Sequence, residues 1–172
     1  MKSDKVVNIL RKDSVEWIKA LTDDELYAIA KYTKNIVDNN ADDFFKRLNA
    51  MLRGEIPHND RLDHYAKLIS SGISKFELKH DIICYRTMKS NPFKSAKAGD
   101  IITLNQFVST SVVKSKTLKG DFFMTIKVKA NTNGAYIERL SSYPNQREFL
   151  LNMGLEYYVV SEDDNQMLLE VI

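Results

Sequence analysis

The stretch Asp81-Ile82-Ile83-Cys84-Tyr85-Arg86 decides the fold class. It is a β-prone apolar run closed by a cation, and the hydrophobic period of the chain changes on either side of it. Upstream, apolar residues recur at helical spacing. Leu26, Ile29, Ala30, Thr33 and Val37 form one stripe. Ahead of it, Thr22-Asp23-Asp24-Glu25 has the form of a capping box, with Leu21 and Leu26 placed as its staple. Asn40 is placed to cap a second helix with the apolar face Ala41, Phe44, Phe45, Leu48, Met51 and Leu52, stopped by Gly54 and Pro57. A third helix is expected from Asp60 to Ser71, with Gly72 as its C-cap. Downstream the runs are short. Residues 99–103, 107–111, 122–129, 134–137, 148–151, 157–160 and 167–172 read as strands, with 87–99, 112–121 and 138–147 irregular. Helices first and strands afterwards, with no βαβ rhythm, predict an α+β fold.

The chain has 172 residues, which suits one domain over 1–172, with a helical half to about residue 78 and a strand-rich half from about 79. Lys and Arg number 25 against 23 Asp and Glu. A net charge of +2 does not demand a nucleic-acid or membrane partner. Cys84 is the single cysteine, so no internal disulfide can form. No run approaches the roughly 18 apolar residues of a membrane-spanning helix. The start, MKSDKVVNILRKDSVEW, breaks every apolar run with charge and does not read as a secretory signal. His58, His64 and His80 lack metal-ligand spacing, and a lone cysteine does not complete a zinc site, so no metal is expected. The six glycines do not cluster into a phosphate-binding loop.

Three short pieces carry chemistry. Arg86 ends a hydrophobic strand, where a guanidinium can grip an anion with two parallel bonds; a structural arginine is the plain alternative. Ser109-Thr110-Ser111 puts hydroxyls on alternating faces, with Ser109 and Ser111 sharing one; a polar edge strand would look the same. Tyr143-Pro144-Asn145-Gln146-Arg147-Glu148 is a polar turn leading into Phe149-Leu150-Leu151. Read as strand, it sends Gln146 and Glu148 to the same side.

In that order, the three pieces resemble the mono-ADP-ribosyltransferase family of bacterial exoenzymes, which includes the clostridial Rho-modifying exoenzymes and the enzymatic components of binary toxins. The string Gly134-Ala135-Tyr136-Ile137 and the residues from Tyr143 to Leu151 are similar to the family's stretch around its catalytic glutamate. Ala28-Ile29, Tyr32-Thr33, Asn49, Leu52 and Arg53 are similar to the helical segment before its core. The resemblance implies N-terminal helices on a mixed, mostly antiparallel core of two sheets. It also implies that NAD is the substrate, cleaved at its nicotinamide–ribose bond, and that ADP-ribose passes to a protein.

Residue by residue, the resemblance makes Glu148 the carboxylate that stabilises the ribosyl cation, with Ser109 orienting it. Thr110 and Ser111 would shape the nicotinamide site, and Arg86 would hold the NAD phosphate or ribose. Asn49 and Arg53 would add contacts from the helical half, although Arg53 also reads as a surface arginine. The loop after Ser111 has no arginine where members often carry one; Lys119 is its nearest substitute by position, and a solvated basic loop is the alternative. Members with Gln two before the glutamate modify asparagine or other non-arginine side chains, so Gln146 disfavours an arginine acceptor. Tyr143 would engage the protein target, a small GTPase among the candidates. A monomer is expected, soluble and without a membrane partner: a secreted or injected toxin acting in a target-cell cytoplasm, or a phage-encoded intracellular protein. The alternatives are an NAD glycohydrolase, a transferase acting on nucleic acid, and a catalytically silent NAD-binding module.

Overall fold

The computed structural model of the chain describes residues 2–34, 44–117 and 119–172. Four helices precede eight strands: α1 Ser3–Ala20, α2 Asp23–Thr33, α3 Phe44–Leu52, α4 Asp60–Ser74, then β1 Ile82–Met88, β2 Ile101–Leu104, β3 Val108–Ser111, β4 Phe122–Val128, β5 Gly134–Tyr136, β6 Glu148–Leu151, β7 Leu155–Glu162 and β8 Gln166–Val171. The α+β class and all eight strands agree with the sequence reading. Among the described residues no helix is long and apolar enough to cross a membrane.

The helix signals are met in part. The Thr22 hydroxyl accepts from the Glu25 amide at 3.1 Å and the Glu25 carboxylate accepts from the Thr22 amide at 3.4 Å, completing the capping box of α2. The cap at Asn40, with Ala41 and Val37, lies outside the described residues. Helix α1 is absent from the sequence reading. It buries Val7, Leu10, Ser14 and Trp17 along one stripe. Gly72 is not a C-cap, because α4 runs on to Ser74. A Cβ at Gly72 would meet Ile29 Cδ1 at 2.8 Å, so the missing side chain lets α2 and α4 approach. The Gly72 carbonyl also accepts from the Trp17 indole at 2.8 Å, which ties α1 to α4.

The strands hydrogen-bond in the order β2-β7-β8-β4-β1-β3-β6-β5. Among the described residues only the β4–β8 pair is parallel. Where the resemblance implied two sheets, the strands are hydrogen-bonded as one mixed eight-stranded array. Within it β1 and β3 pair at Tyr85↔Ser111. That pairing sets the site: Arg86 follows Tyr85 inside β1, which runs on to Met88 and does not end at Arg86, and Ser109 and Ser111 lie on β3.

An aromatic chain fastens the helices to the same place. Trp17 meets Phe76 edge-on at 5.7 Å between ring centroids, and Phe76 meets Phe149 at 6.1 Å. Such edge contacts contribute about 0.5–1.5 kcal/mol each beyond their buried area. Phe149 follows Glu148 on β6, a strand buried at every position.

Gly134 shows how tight this end is. A Cβ there would come within 2.6 Å of the Phe149 ring and 3.1 Å of the Leu150 carbonyl. Gly134→Ala should therefore destabilise the fold by about 1–3 kcal/mol through overpacking. Urea denaturation of the two proteins checks this; an unchanged midpoint would show that the ring moves aside freely.

Candidate active site

Glu148 is the first residue of β6 and stands opposite Ser111 in the β3–β6 register. It is 7% exposed, so it is not the solvated glutamate that its place at a strand start would permit. The Ser109 hydroxyl donates to its Oε1. Burial raises the Glu148 pKa above the ordinary carboxyl value, while the Ser109 hydrogen bond and the Arg86 charge pull the other way without cancelling it.

Among the described residues Arg86 is held by one hydrogen bond, from Nη1 to the Ser109 carbonyl at 2.8 Å. Burial lowers its pKa against the opposing influence of Tyr32 and Glu148, and a guanidinium stays protonated at any working pH. Among the described residues no carboxylate forms an ion pair with it. Among the described residues its other N–H groups have no acceptor, and a guanidinium's N–H groups can pair with an anion. Arg86 lines two hollows. One is small, about 50 Å³, and is lined by Arg86, Ser109, Ser111, Lys116 and Gln146. The other is a cleft of about 580 Å³ lined by Arg86, Arg53, Glu55, Phe93 and Gln106. A cleft of that size is in the range that small-molecule ligands occupy.

The structure thus gathers Glu148, Ser109, Arg86 and Gln146, and it revises how some of them arrive. Gln146 does not share a strand face with Glu148. It ends a 3₁₀ turn, Pro144–Gln146, and Arg147 between the two has φ 49° and ψ 52°, in the left-handed region. The turn, not a strand's alternation, brings Gln146 to the small hollow. Thr110 also lines the small hollow, but it is buried and its hydroxyl donates to the Phe149 carbonyl at 2.6 Å. The Ser111 hydroxyl closes a local turn, donating to the Val113 carbonyl at 2.9 Å and accepting from the Val113 amide at 3.1 Å. Tyr143 is 41% exposed on the outer side of the same turn as Gln146.

From the helical half, Arg53 reaches the larger cleft, but its fork is gripped by Glu55, with both bonds at 2.8 Å, and it also donates to Gln106. Asn49 is buried and spends its amide on structure. Its Nδ2 donates to Tyr32 Oη at 2.9 Å and its Oδ1 accepts from the Phe107 amide at 3.2 Å. Asn49 therefore sets the spacing between α2, α3 and the start of β3. Lys116, and not Lys119, reaches the small hollow. Sequence reasoning missed Lys116, Glu55 and Gln106. The Arg53–Glu55 spacing hinted at one of these; Gln106 lies 53 residues from Arg53 and had no local signal. Among the described residues no group of three or more His, Cys, Asp and Glu side chains is placed to hold a metal ion.

Comparison with known proteins places this arrangement. The family model described as ADP-ribosyltransferase exoenzyme matches residues 11–171. The NAD(+)–arginine ADP-ribosyltransferase EFV of Enterococcus faecalis is 32% identical over 170 residues, covering 90% of this chain and 32% of that protein. The chain spans about a third of the length of the curated relatives it matches. In structure it is similar to Plx2a, an ADP-ribosyltransferase toxin from Paenibacillus larvae, with a TM-score of 0.80 at 21% identity over 99% of this chain and 96% of the other. It is also similar to C3stau2 from S. aureus, solved with NAD, with a TM-score of 0.76 at 21% identity over 99% and 94%.

The buried carboxylate has a measurable cost. Folded Glu148 titrates above the value it has in the unfolded chain, about 4.3. Stability from this group is therefore full below the unfolded value and is lost as pH rises through the folded one. Glu148→Gln should remove that loss. The difference in urea midpoint between variant and wild type should grow in the variant's favour from pH 4 to neutrality. A difference independent of pH would mean that Glu148 titrates as an ordinary glutamate.

Proposed function

Because this chain belongs to the ADP-ribosyltransferase exoenzyme family, we propose that it cleaves NAD at the nicotinamide–ribose bond and passes ADP-ribose to a protein side chain. The observation that carries this reading is the buried Glu148 carboxylate, bonded by the Ser109 hydroxyl, while the Ser109 carbonyl accepts from Arg86, a guanidinium that lines the cleft. The nicotinamide of NAD is cationic and leaves as a neutral molecule, taking the bonding electron pair, so its departure needs no general acid. What remains is an oxocarbenium-like ribosyl cation. A preorganised carboxylate in a water-poor site stabilises that cation more than water would. Arg86 binds the NAD phosphate or ribose, and Arg53 and Gln106 line the path along the cleft. Lys116 adds a point charge near the small hollow. The acceptor nitrogen then attacks the ribosyl carbon and gives up one proton.

Gln146 is the residue of this group best suited to the acceptor. Its amide both donates and accepts, matching another amide, so a side-chain amide is the first acceptor to test. A small GTPase is the first candidate protein, on family analogy alone. Tyr143, exposed on the same turn, would meet that protein. A second reading is an arginine acceptor, favoured by the name of the Enterococcus faecalis relative. Labelled NAD incubated with a cell lysate, followed by mass spectrometry of the modified peptide, separates the two by the residue that carries the adduct. Free ADP-ribose alone would indicate a glycohydrolase, nuclease-sensitive label a nucleic-acid acceptor, and no product a silent module.

Two variants divide the labour within the site. Glu148→Ala should lower nicotinamide release by about 100–1,000-fold. Gln146→Ala should lower protein labelling by about 100-fold through misplacement of the acceptor, while slow nicotinamide release persists. Both products are measured from one tube. Equal loss of both in Gln146→Ala would give Gln146 to the NAD site and remove it from the acceptor.

A further inference from the structure

A second carboxylate lies behind the first. Glu138 sits between β5 and β6, 9% exposed, and is surrounded by donors. Arg11 of α1 grips it through Nε at 2.9 Å and Nη2 at 2.8 Å. Tyr136 Oη donates to it at 2.7 Å, and Arg147 Nη1 donates to it as well. Burial works against this carboxylate, yet the bonds from Arg11 and Tyr136 and the two arginine charges hold its pKa below the ordinary carboxyl value. It is therefore ionised and fully engaged.

Arg147 is the residue between Gln146 and Glu148. Its left-handed backbone is uncommon for a residue with a side chain and is kept only where the surroundings enforce it. They enforce it here from three directions. The Arg147 guanidinium bonds Glu138 and also the Pro144 carbonyl at 3.1 Å. Its amide donates to the Pro144 carbonyl at 3.2 Å, and its carbonyl accepts from the Val112 amide at 3.0 Å at the end of β3. The backbone reversal at Arg147 is what lets Gln146 face the hollow while Glu148 enters β6.

We propose that Glu138 is a positioning residue for the transfer reaction. It anchors Arg147 to α1 and so fixes the turn that holds Gln146 and Glu148 in register. This rests on the transferase reading above. The middle residue of the Gln-x-Glu pattern is then a clamp and not a spacer, and α1, through Arg11, is part of the machinery that holds the site.

Two variants test the clamp without depending on one another. Glu138→Gln keeps the shape and some hydrogen bonds but removes the charge. Arg147→Gly keeps Glu138 paired with Arg11, and glycine adopts the positive φ without strain, so the fold has no reason to fail. The first readout is amide hydrogen exchange. Exchange at the Gln146 and Arg147 amides should quicken about ten-fold or more in both variants, with the β4–β8 amides unchanged. The second is steady-state kinetics of NAD cleavage and labelling. The kcat of labelling should fall about ten-fold or more while KM for NAD stays within about two-fold, and Arg147→Lys, which keeps a cation for Glu138, should recover part of the loss. Wild-type exchange at the turn in both variants, or wild-type labelling by Arg147→Gly, would overturn the proposal while leaving the transferase reading intact. A wild-type protein that releases no nicotinamide, with the exchange difference present, would instead sustain the clamp and defeat that reading.

Discussion

The structure is organised around keeping one carboxylate charged where water is scarce. Glu148 opens a strand that is buried throughout. Ionising a carboxyl there costs free energy, and the raised pKa records that cost. The cost is offset by the Ser109 hydroxyl and the Arg86 charge, and each has to be delivered from a different strand. The β1–β3–β6 order of the sheet is what brings the three together. In a wetter position the same groups would interact weakly, and their influence on a developing positive charge would be small.

The rest of the molecule keeps that meeting point in place. Trp17, Phe76 and Phe149 form a line of ring contacts from α1 to the residue after Glu148. Asn49 joins Tyr32 on α2 to the Phe107 amide just ahead of β3. Leaving either of those buried partners unsatisfied would cost about 1–3 kcal/mol, so the helical half is not a loose cover. Glu138 adds a third tie, from α1 to the turn itself. Packing, neutral hydrogen bonding and ion pairing each secure a different side of the same site.

The parts legible in the sequence were those with a local period or a local motif. The strands, the capping box and the ordered Arg86, Ser109–Ser111 and Glu148 positions all have such signatures. Helix α1 was harder to see because its buried stripe includes Ser14 and charged residues stand between its apolar positions. Gly72 looked like a cap because glycine follows many helices, but its value is the close approach of Ile29, a contact across 43 residues of chain that no local rule reports. Gln146 was assigned correctly to the turn and wrongly to a strand face. Period-two alternation fails wherever the backbone enters the left-handed region, as it does at Arg147. Asn49 lies at a position that resembles a binding residue, and only the structure shows its amide spent on Tyr32 and Phe107. Glu138 and Arg11 stand 127 positions apart, and their pairing has no trace in either segment alone.

The claim that links this architecture to chemistry is that an ionised, Ser109-bonded Glu148 drives NAD cleavage. The acid limb of the pH–rate profile for nicotinamide release, compared between wild type and Ser109→Ala, tests it most directly. The account predicts a wild-type limb above the ordinary glutamate range, moved to still higher pH in Ser109→Ala because the bond that favours the charged form is gone. A limb at the ordinary glutamate value, or one that does not move when Ser109 is removed, would contradict it.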